Sequence, residues 1–418
     1  MNLLIQKGRI GSNLKDIYIE NGKIRDIAEN INPPEHTEVI NAGGNLIIPG
    51  LVDMFCSIGE PGYEYREDIE SGSQAAAKGG FTTITYLPDT NPVIDQKTAV
   101  NYIVNNRLSD VNIYPYGSMT KGCKGAEMSE IGDMVNAGIV GITDGSASVN
   151  DSRLMFDILR YSTMFDIPVI TMCNDEVLSR GGVMNRGRIS TKTGLRGIPQ
   201  EAEEIMVARN ILLAKDIHAK LHITHVSTAD SVDIVRIAKK MGIAITCDTA
   251  PHYFTLCEEL VEGYNTFGKV LPPLRTQRDI QAIKAGLEDG TIDVIVSGHT
   301  PSAIDHKRLE FDRAAYGISS LETAFALSYT ALVKEGLLTM EQLLQKMSEA
   351  PAKILGLQTK GKLEPGYDAD LVIFDKEKTS VINGSSFSSK SKFTPYEGWE
   401  VQGMVLHTFV NGKRVYSQ

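Results

Sequence analysis

The two ends of the chain share one pattern of hydrophobic and polar positions. Residues 1–52 contain short runs in which apolar and polar side chains alternate, such as LLIQKGRI and DIYIENGKI, with Asn21 and Gly22 at a turn position. The same pattern returns after Leu357, where Asn411 and Gly412 mark another turn. Apolar and polar residues that alternate with a period of two, interrupted by Asn-Gly, predict β-hairpins. We expect residues 1–52 and 358–418 to form one composite β-sandwich unit.

The middle of the chain alternates between apolar, β-branched runs and helical stretches. Eight runs have the character of buried strands: GLVDMFC, FTTITYL, VNIYPYG, AGIVGIT, IPVITMC, KLHITHV, GIAITCD and TIDVIVSG. The stretches between them, such as AEEIMVARNILLAKD, repeat apolar residues at helical spacing. This alternation predicts an α/β fold, a (β/α)8 TIM barrel over residues 53–357, with its chemistry at the carboxyl ends of the strands.

Composition and charge argue against some classes of function. The chain has 418 residues, of which 42% are hydrophobic and 22% charged, as in ordinary globular proteins. Lys and Arg number 42 against 52 Asp and Glu, so the net charge is −10. A negative protein is repelled by the phosphates of DNA and RNA, and we therefore expect no nucleic-acid partner.

Cysteine usage and the lack of long apolar runs predict a cytoplasmic protein. The chain has five cysteines, and no two of them have the C-x-x-C spacing of a zinc or redox site. Reduced, buried thiols are typical of the cytosol. Charged residues interrupt the amino-terminal segment, and no stretch approaches the ~20 apolar residues that span a membrane. We expect no membrane association.

Nine strings, in order and spread over nearly the whole chain, resemble the dihydroorotases of the amidohydrolase superfamily. They are PGLVDM (49–54), EPG (60–62), AAAKGGFTT (75–83), NPVID (91–95), TGLRGIP (193–199), HITHVST (222–228), PPLR (272–275), GTIDVI (290–295) and GYDADLVIFD (366–375). The resemblance implies the amidohydrolase type of TIM barrel and the reversible hydrolysis of dihydroorotate to carbamoyl aspartate. It also implies zinc, which generates hydroxide and polarises the carbonyl group.

Most zinc-ligand positions of that family carry other residues in this chain. Asp144 remains at the bridging-carboxylate position and His225 at the sixth-strand position. The other four positions are replaced, two of them in the His-x-His pair, one on the fifth strand and one on the eighth: Phe55, Ser57, Met172 and Gly298. Gly298 also stands where the family has its general base, so no catalytic residue is assigned. We expect no binuclear zinc site and at most one weakly bound ion.

The family's substrate-binding positions are replaced as well. The resemblance implies an arginine, an asparagine and a histidine around the dihydroorotate carboxylate, and these fall on Gly59, Asp89 and Ser302. Losing the guanidinium removes a charge-assisted bidentate contact. Placing a carboxylate at position 89 adds repulsion against an anionic ligand.

Three functional hypotheses follow from the replaced site. The first is a catalytically inactive dihydroorotase-like protein with a structural or regulatory role, a homo-oligomer that also binds aspartate carbamoyltransferase, as inactive homologues in the family do. The second is a divergent cyclic-amide hydrolase with at most one metal ion. The third is an active dihydroorotase with an alternative site, against which stands the missing general base.

Three further features are interpreted as structural. His222, His252 and His299 lie near strand ends, and we expect them to support the scaffold rather than bind metal. The cysteines beside replaced ligand positions, Cys56 and Cys173, are expected to pack in the core. The serine-rich stretch SSFSSKSK at residues 385–392 is expected to be a solvated connection.

Overall fold

The computed structural model describes residues 2–106 and 108–418. Its strands are β1 Asn2–Ile10, β2 Asn13–Glu20, β3 Lys23–Ala28, β4 Glu38–Asn41, β5 Leu46–Pro49, β6 Leu51–Asp53, β7 Phe81–Tyr86, β8 Asn112–Pro115, β9 Val169–Met172, β10 Met184–Asn185, β11 Gly197–Ile198, β12 Leu221–Thr224, β13 Ile245–Thr249, β14 Val294–Ile295, β15 Leu371–Val381, β16 Glu400–Val410 and β17 Lys413–Ser417.

The helices alternate with the central strands. They are α1 Ile69–Lys78, α2 Lys97–Val104, α3 Ile131–Ala137, α4 Ser152–Ser162, α5 Glu176–Ser179, α6 Arg188–Thr193, α7 Glu201–Ala214, α8 Ala229–Lys240, α9 Pro251–Thr255, α10 Gln277–Glu288, α11 Ile304–Lys307, α12 Ala324–Ser328, α13 Met340–Leu344 and α14 Ala350–Ile354. Within the described ranges, none of these helices has the length and apolar character needed to cross a membrane.

The central strands close into the predicted barrel. Parallel pairing joins β6 to β7 to β8 on one side, and β9 to β12 to β13 to β14 on the other. Ile142 bridges the two arcs, because it pairs in parallel with Gly117 and with Val169. A parallel bridge between Cys56 and His299 closes the circle. The fourth strand is therefore a single bridging residue, and the carboxyl ends of all strands meet at one face.

Both ends of the chain contribute to a second sheet of eight strands. Its order is β17-β16-β15-β5-β1-β2-β3, with β4 paired to β1. Alternate residues of β15 pack in two different cores. Leu371 and Ile373 lie in the core of this unit, with Ile5 and Ile17. Val372, between them, belongs to the cluster that fills the barrel. The period-two pattern of β15 thus joins the sandwich to the barrel. The division at residues 52 and 357 itself stays a prediction.

Candidate active site

The residues that the resemblance assigns to ligand positions follow the carboxyl ends of barrel strands. Phe55 and Ser57 follow β6, and Asp144 follows the bridging residue Ile142. Met172 ends β9, His225 follows β12, and Gly298 follows β14. Parallel strands bring these ends to one face, so the sequence positions converge as expected for this fold.

Phe55 fills the space in front of His225. The two ring centroids are 4.2 Å apart at an interplanar angle of 57°, and both side chains are buried. The backbone N–H of His225 donates to Asp248 Oδ1 at 2.7 Å, and its Nδ1 lies 2.8 Å from Thr224 Oγ1. Burial lowers the pKa of His225, opposed by the charge of Asp248. Burial against an apolar ring thus disfavours the charged form of this imidazole.

Gly298 is enclosed on the side where a longer residue would project. A Cβ atom at this position would lie 2.7 Å from His252 Cε1, 3.1 Å from Ala250 Cβ and 3.2 Å from His225 Nε2. The backbone has a φ of +66°, in the left-handed region that favours glycine. The neighbouring side chains thus occupy the volume that an aspartate at position 298 needs.

Asp144 is retained, but both of its carboxylate oxygens are already bonded. Thr120 donates its backbone N–H to Oδ1 at 3.0 Å and its hydroxyl to Oδ2 at 2.5 Å. Burial raises the pKa of Asp144, and the Thr120 hydrogen bonds oppose this rise. Across the same face, Met172 is buried, and its carbonyl accepts a hydrogen bond from Ser148 Oγ at 2.6 Å. The carboxylate serves as a structural acceptor in this arrangement.

Ser57 and Asp89 form a polar pair at the rim. The Ser57 hydroxyl donates to Asp89 Oδ2 at 2.8 Å. Burial raises the pKa of Asp89, and the bond from Ser57 counteracts it. Among the described residues no group bonds the other oxygen, Oδ1. The structure therefore joins two residues that the resemblance assigns to metal binding and to substrate binding.

The other two substrate positions offer little to a ligand. A Cβ at Gly59 would lie 2.3 Å from the carbonyl oxygen of Tyr63, and that residue donates its N–H back to the Gly59 carbonyl at 2.7 Å. Ser302 is buried, and its hydroxyl reaches only the Ala303 carbonyl at 3.5 Å. The turn at Gly59 leaves no room for the arginine that the resemblance implies at this position.

Glu67 is a buried residue at this face that the sequence did not single out. It is fully buried, and its Oε2 lies 3.5 Å from His299 Nε2. Burial by itself raises the pKa of Glu67, but hydrogen bonding and charge from His299, with bonds from Ser389 and Ser71, bring it below the usual value. Glu67 stands in the polar stretch REDIES, which has the composition of an exposed helix start. No local signal separates it from its exposed neighbours.

The serine-rich stretch is not a solvated connection, and that expectation was wrong. We call residues 387–396 the strap. Over residues 387–393 its side chains alternate, with Phe387, Ser389, Ser391 and Phe393 buried and the intervening residues partly or fully exposed. Ser389 Oγ and the Lys390 N–H both donate to Glu67. Serine composition is typical of exposed loops, but here the Ser389 hydroxyl and three backbone N–H groups bond the buried carboxylates of Glu67 and Glu322.

The strap lies across one arc of the barrel face. At one end it bonds Glu67, after β6, and Glu322, after β14. At the other end Phe393 stacks on Phe267 with centroids 5.1 Å apart, in the connection after β13. The carboxyl-terminal unit therefore covers the part of the face next to His299.

Other histidines and cysteines singled out from the sequence are hydrogen-bonded or buried. His222 has Thr246 Oγ1 at 2.8 Å from Nδ1 and Asp248 Oδ2 at 2.8 Å from Nε2. His252 is buried, which lowers its pKa. Burial raises the pKa of the Cys56 and Cys173 thiols, the latter to about 12. These groups are placed as parts of the core.

Comparisons with known proteins agree with this fold. Residues 44–231 match the model of the family described as dihydro-orotase-like, and residues 264–416 match the amidohydrolase family. A dihydroorotase of Acetivibrio thermocellus is 48% identical over 404 residues, which cover 96% of this chain and 94% of that protein. A dihydroorotase of Syntrophus aciditrophicus is 46% identical over 427 residues, covering both chains completely.

Solved structures show the same architecture. The L-hydantoinase (dihydropyrimidinase) from Arthrobacter aurescens superposes with a TM-score of 0.89 at 26% identity, covering 100% of this chain and 96% of that chain. The dihydropyrimidinase from Brevibacillus agri, at 22% identity and a TM-score of 0.85, shares the fold over 100% of this chain and 95% of its own. This chain therefore belongs to the dihydroorotase family of the amidohydrolase superfamily.

Proposed function

We propose that this chain is a dihydroorotase-like protein of pyrimidine biosynthesis that lacks hydrolase activity and acts as a structural or regulatory component in the cytoplasm. The observation that carries the proposal is the packing at Gly298. The family places its general base there, whereas here His252, Ala250 and His225 occupy the space around a Cβ. Without a base to accept a proton, hydrolysis of a cyclic amide loses a large part of its rate enhancement.

The donor set does not fit the zinc centre of the family. A zinc site uses at least three protein ligands at about 2.0–2.2 Å. Asp144 and His225 are the two family ligands that remain, and Thr120 already bonds both oxygens of Asp144. Over residues 2–106 and 108–418, no three His, Cys, Asp or Glu side chains lie together in a ligand-like group. We propose at most one weakly bound ion at this face.

The residues at the rim also disfavour binding of the family's anionic substrate. Asp89 brings a carboxylate to the position where the family uses an amide, and Gly59 provides no guanidinium. Like charges at close range disfavour binding, and the effect grows where burial excludes water. We therefore propose that dihydroorotate is not a ligand of this face.

An activity assay in both directions of the reaction, combined with metal analysis, tests the proposal. The purified full chain is incubated with dihydroorotate, and separately with carbamoyl aspartate, with and without added zinc. The control is the 48% identical dihydroorotase of Acetivibrio thermocellus. We expect no turnover above a no-enzyme blank. Chelator-sensitive turnover of dihydroorotate with about two zinc ions per chain would overturn the proposal.

An intermediate metal content would distinguish the divergent cyclic-amide hydrolase from the inactive protein. About one zinc ion per chain, together with hydrolysis of a cyclic amide other than dihydroorotate, would contradict the proposal of an inactive protein and favour a divergent hydrolase. The measurement is elemental analysis of protein purified without chelator, paired with a panel of hydantoins and dihydropyrimidines. Near-zero metal with no turnover across the panel supports the inactive protein.

We further propose that the chain is retained for its surfaces. We expect it to self-associate and to bind aspartate carbamoyltransferase. Function in this superfamily depends on residues placed on the scaffold, so replacing them leaves the fold and its surfaces in place. Size-exclusion chromatography with light scattering, alone and with the carbamoyltransferase of the same organism, measures both interactions. A monomer that never co-elutes contradicts this part of the proposal.

A further inference from the structure

A cavity of about 440 Å³ lies at the amino-terminal ends of the barrel strands, opposite the candidate active site. We call it the amino-terminal cavity. One side is formed by the starts of three strands, with Pro168 before β9, Leu221 in β12 and Ile245 in β13. The other side is formed by the helical segment 345–354. Pockets that bind small molecules have volumes of about 300–1,000 Å³, so this cavity is large enough for an organic ligand.

The helical wall of the cavity contains a π-helical turn, Gln345–Glu349, between α13 and α14. The inner side of the turn is fixed to the barrel, because Lys346 Nζ donates to the Ile292 carbonyl at 2.6 Å and Ser348 Oγ donates to the Gly50 carbonyl. Both end residues of the turn line the cavity. Turns of this type are rare and occur frequently at functional sites. The turn is thus a second observation, besides the cavity, that points to a ligand.

The charges in the wall leave one cation without a partner. The two carboxylates are already neutralised: Lys239 pairs with Asp293 at 2.6 Å, and Lys362 pairs with Glu349 at 2.9 Å. Lys353 also lines the cavity and is exposed. Within the described ranges it forms no ion pair. The wall therefore has an unmatched positive charge, which favours an anionic ligand.

A second lysine adds to this positive charge. Lys220 lines the cavity, and its Nζ pairs with Asp166 Oδ1 at 2.7 Å. The side chain of Asp166 is 83% exposed and that of Lys220 is 51% exposed. Exposed pairs of this kind are weak, so a ligand anion competes with Asp166 for the ammonium group.

The deep part of the cavity offers apolar contacts and no open hydrogen-bonding group on its histidine. Leu221 and Ile245 are buried there. His222 Nδ1 lies 2.8 Å from Thr246 Oγ1, and its Nε2 lies 2.8 Å from Asp248 Oδ2. Both ring nitrogens are therefore engaged. A ligand would place an apolar body in the cavity and its charge at the mouth.

We propose that the amino-terminal cavity binds a small carboxylic acid with an apolar body, its carboxylate on Lys353 and its body against Leu221 and Ile245. One unmatched cation favours a single negative charge, and the apolar wall disfavours an inorganic ion that has no apolar body. The inference goes beyond the proposed function. It does not depend on whether the chain hydrolyses a cyclic amide, because the cavity lies at the other end of the barrel.

Isothermal titration calorimetry of the full chain with three probes tests the ligand class. The probe 3-phenylpropionate has both a charge and an apolar body, 3-phenylpropionamide has only the body, and inorganic phosphate has only the charge. We expect a Kd of about 1 mM or below for the acid, an affinity about threefold lower for the amide, and no measurable binding of phosphate. Equal affinities for acid and amide, or no binding of the acid at about 10 mM, would overturn the proposal.

Two variants test whether the acid binds in this cavity. Lys353→Gln is expected to lower the affinity for the acid about threefold and to leave that for the amide unchanged. The matched control is Lys240→Gln, because Lys240 is exposed at the end of α8 and does not line the cavity. Ala244→Phe places a ring at an exposed position of the cavity wall and is expected to weaken binding of both organic probes.

Amide hydrogen exchange provides a readout that does not depend on the heat of binding. The acid is expected to slow exchange over residues 345–354, because a ligand that binds only the folded wall suppresses its local opening. Ala244→Phe is expected to abolish this protection. Binding that neither Lys353→Gln nor Ala244→Phe alters, or protection confined to another region, would place the acid elsewhere and overturn the proposal.

Discussion

At the residue scale, the backbone and packing at Gly298 predict that the family's aspartate is not restored by substitution. Gly298→Asp places a Cβ 2.7 Å from His252 at a φ of +66°. We expect a loss of unfolding free energy of about 1–3 kcal/mol or more, because close-packed neighbours resist movement. Urea denaturation measures the loss. The dihydroorotate assay is expected to remain at the blank level.

A second glycine separates backbone strain from steric overlap. Gly290 also has a positive φ, +81°, but a Cβ there meets no atom within 4 Å. Gly290→Asp therefore reports the conformational strain alone, about 1–2 kcal/mol. If the two variants are destabilised equally, the packing around Gly298 is looser than described. Dihydroorotase activity in Gly298→Asp would contradict the prediction that this substitution does not restore the site.

Asp53, at the end of β6, predicts a pH dependence of stability. Burial raises the pKa of Asp53 to about 6, although hydrogen bonds from Ser297 oppose the rise. An unfolded aspartate has a pKa of about 3.9. Between these values the folded protein binds more protons than the unfolded chain, so the contribution of Asp53 to stability falls as pH rises from about 4 to about 6.

The variant Asp53→Asn removes this titration. We expect the unfolding free energy of the wild type, relative to the variant, to fall by about 2 kcal/mol between pH 4 and pH 7. Urea unfolding at several pH values measures the difference, and the exposed Asp216→Asn is the control. A constant difference between wild type and Asp53→Asn across this range would show that Asp53 has an ordinary pKa.

At the scale of elements, the strap depends on one buried carboxylate. Glu67 accepts hydrogen bonds from Ser71 and Ser389 hydroxyls and from the Lys390 N–H. Glu67→Gln removes the charge that strengthens these bonds, each worth about 1.5–3 kcal/mol when a charged group is involved. We expect faster amide exchange over residues 387–396 and faster tryptic cleavage after Lys390 and Lys392.

A neighbouring carboxylate provides the matched control for the strap. Asp68 also pairs with Lys390, but its side chain is 27% exposed and that of Lys390 is 39% exposed. Exposed pairs contribute about 0–1 kcal/mol. Asp68→Asn is therefore expected to leave exchange in the strap nearly unchanged. Equal effects from the two variants would mean that the buried position of Glu67 does not matter.

At the scale of the whole molecule, the barrel is expected to be stable without metal. Its interior is filled by apolar residues at the replaced ligand positions, including Phe55 and Met172. A protein that folds around a bound ion loses that binding free energy when a chelator removes the ion. We expect a chelator to shift the melting temperature by less than about 1 °C. A large decrease that added zinc reverses would contradict the proposed metal-free barrel.

Much of the fold was predictable because its signals are local. Period-two runs at both ends and apolar runs between helices indicate which residues form strands, since each face of a strand takes alternate side chains. The strings shared with dihydroorotases predict where the site lies, and the replacement of family ligands by Phe55, Met172 and Gly298 stays a prediction. Composition predicts no nucleic-acid partner from the net charge, which is a sum over residues, and this stays a prediction.

The packing around those positions was decided only by the tertiary structure. The sequence shows a glycine at position 298. It does not show that His252 and His225, which lie in two other connections of the barrel, enclose this glycine. Glu67 and Ser389 lie 322 residues apart, and neither shows locally that it bonds the other. The amino-terminal cavity likewise appears only once the helical segment 345–354 lies across the starts of the strands. Alternation and helical spacing describe a segment, whereas burial depends on which distant segment covers it.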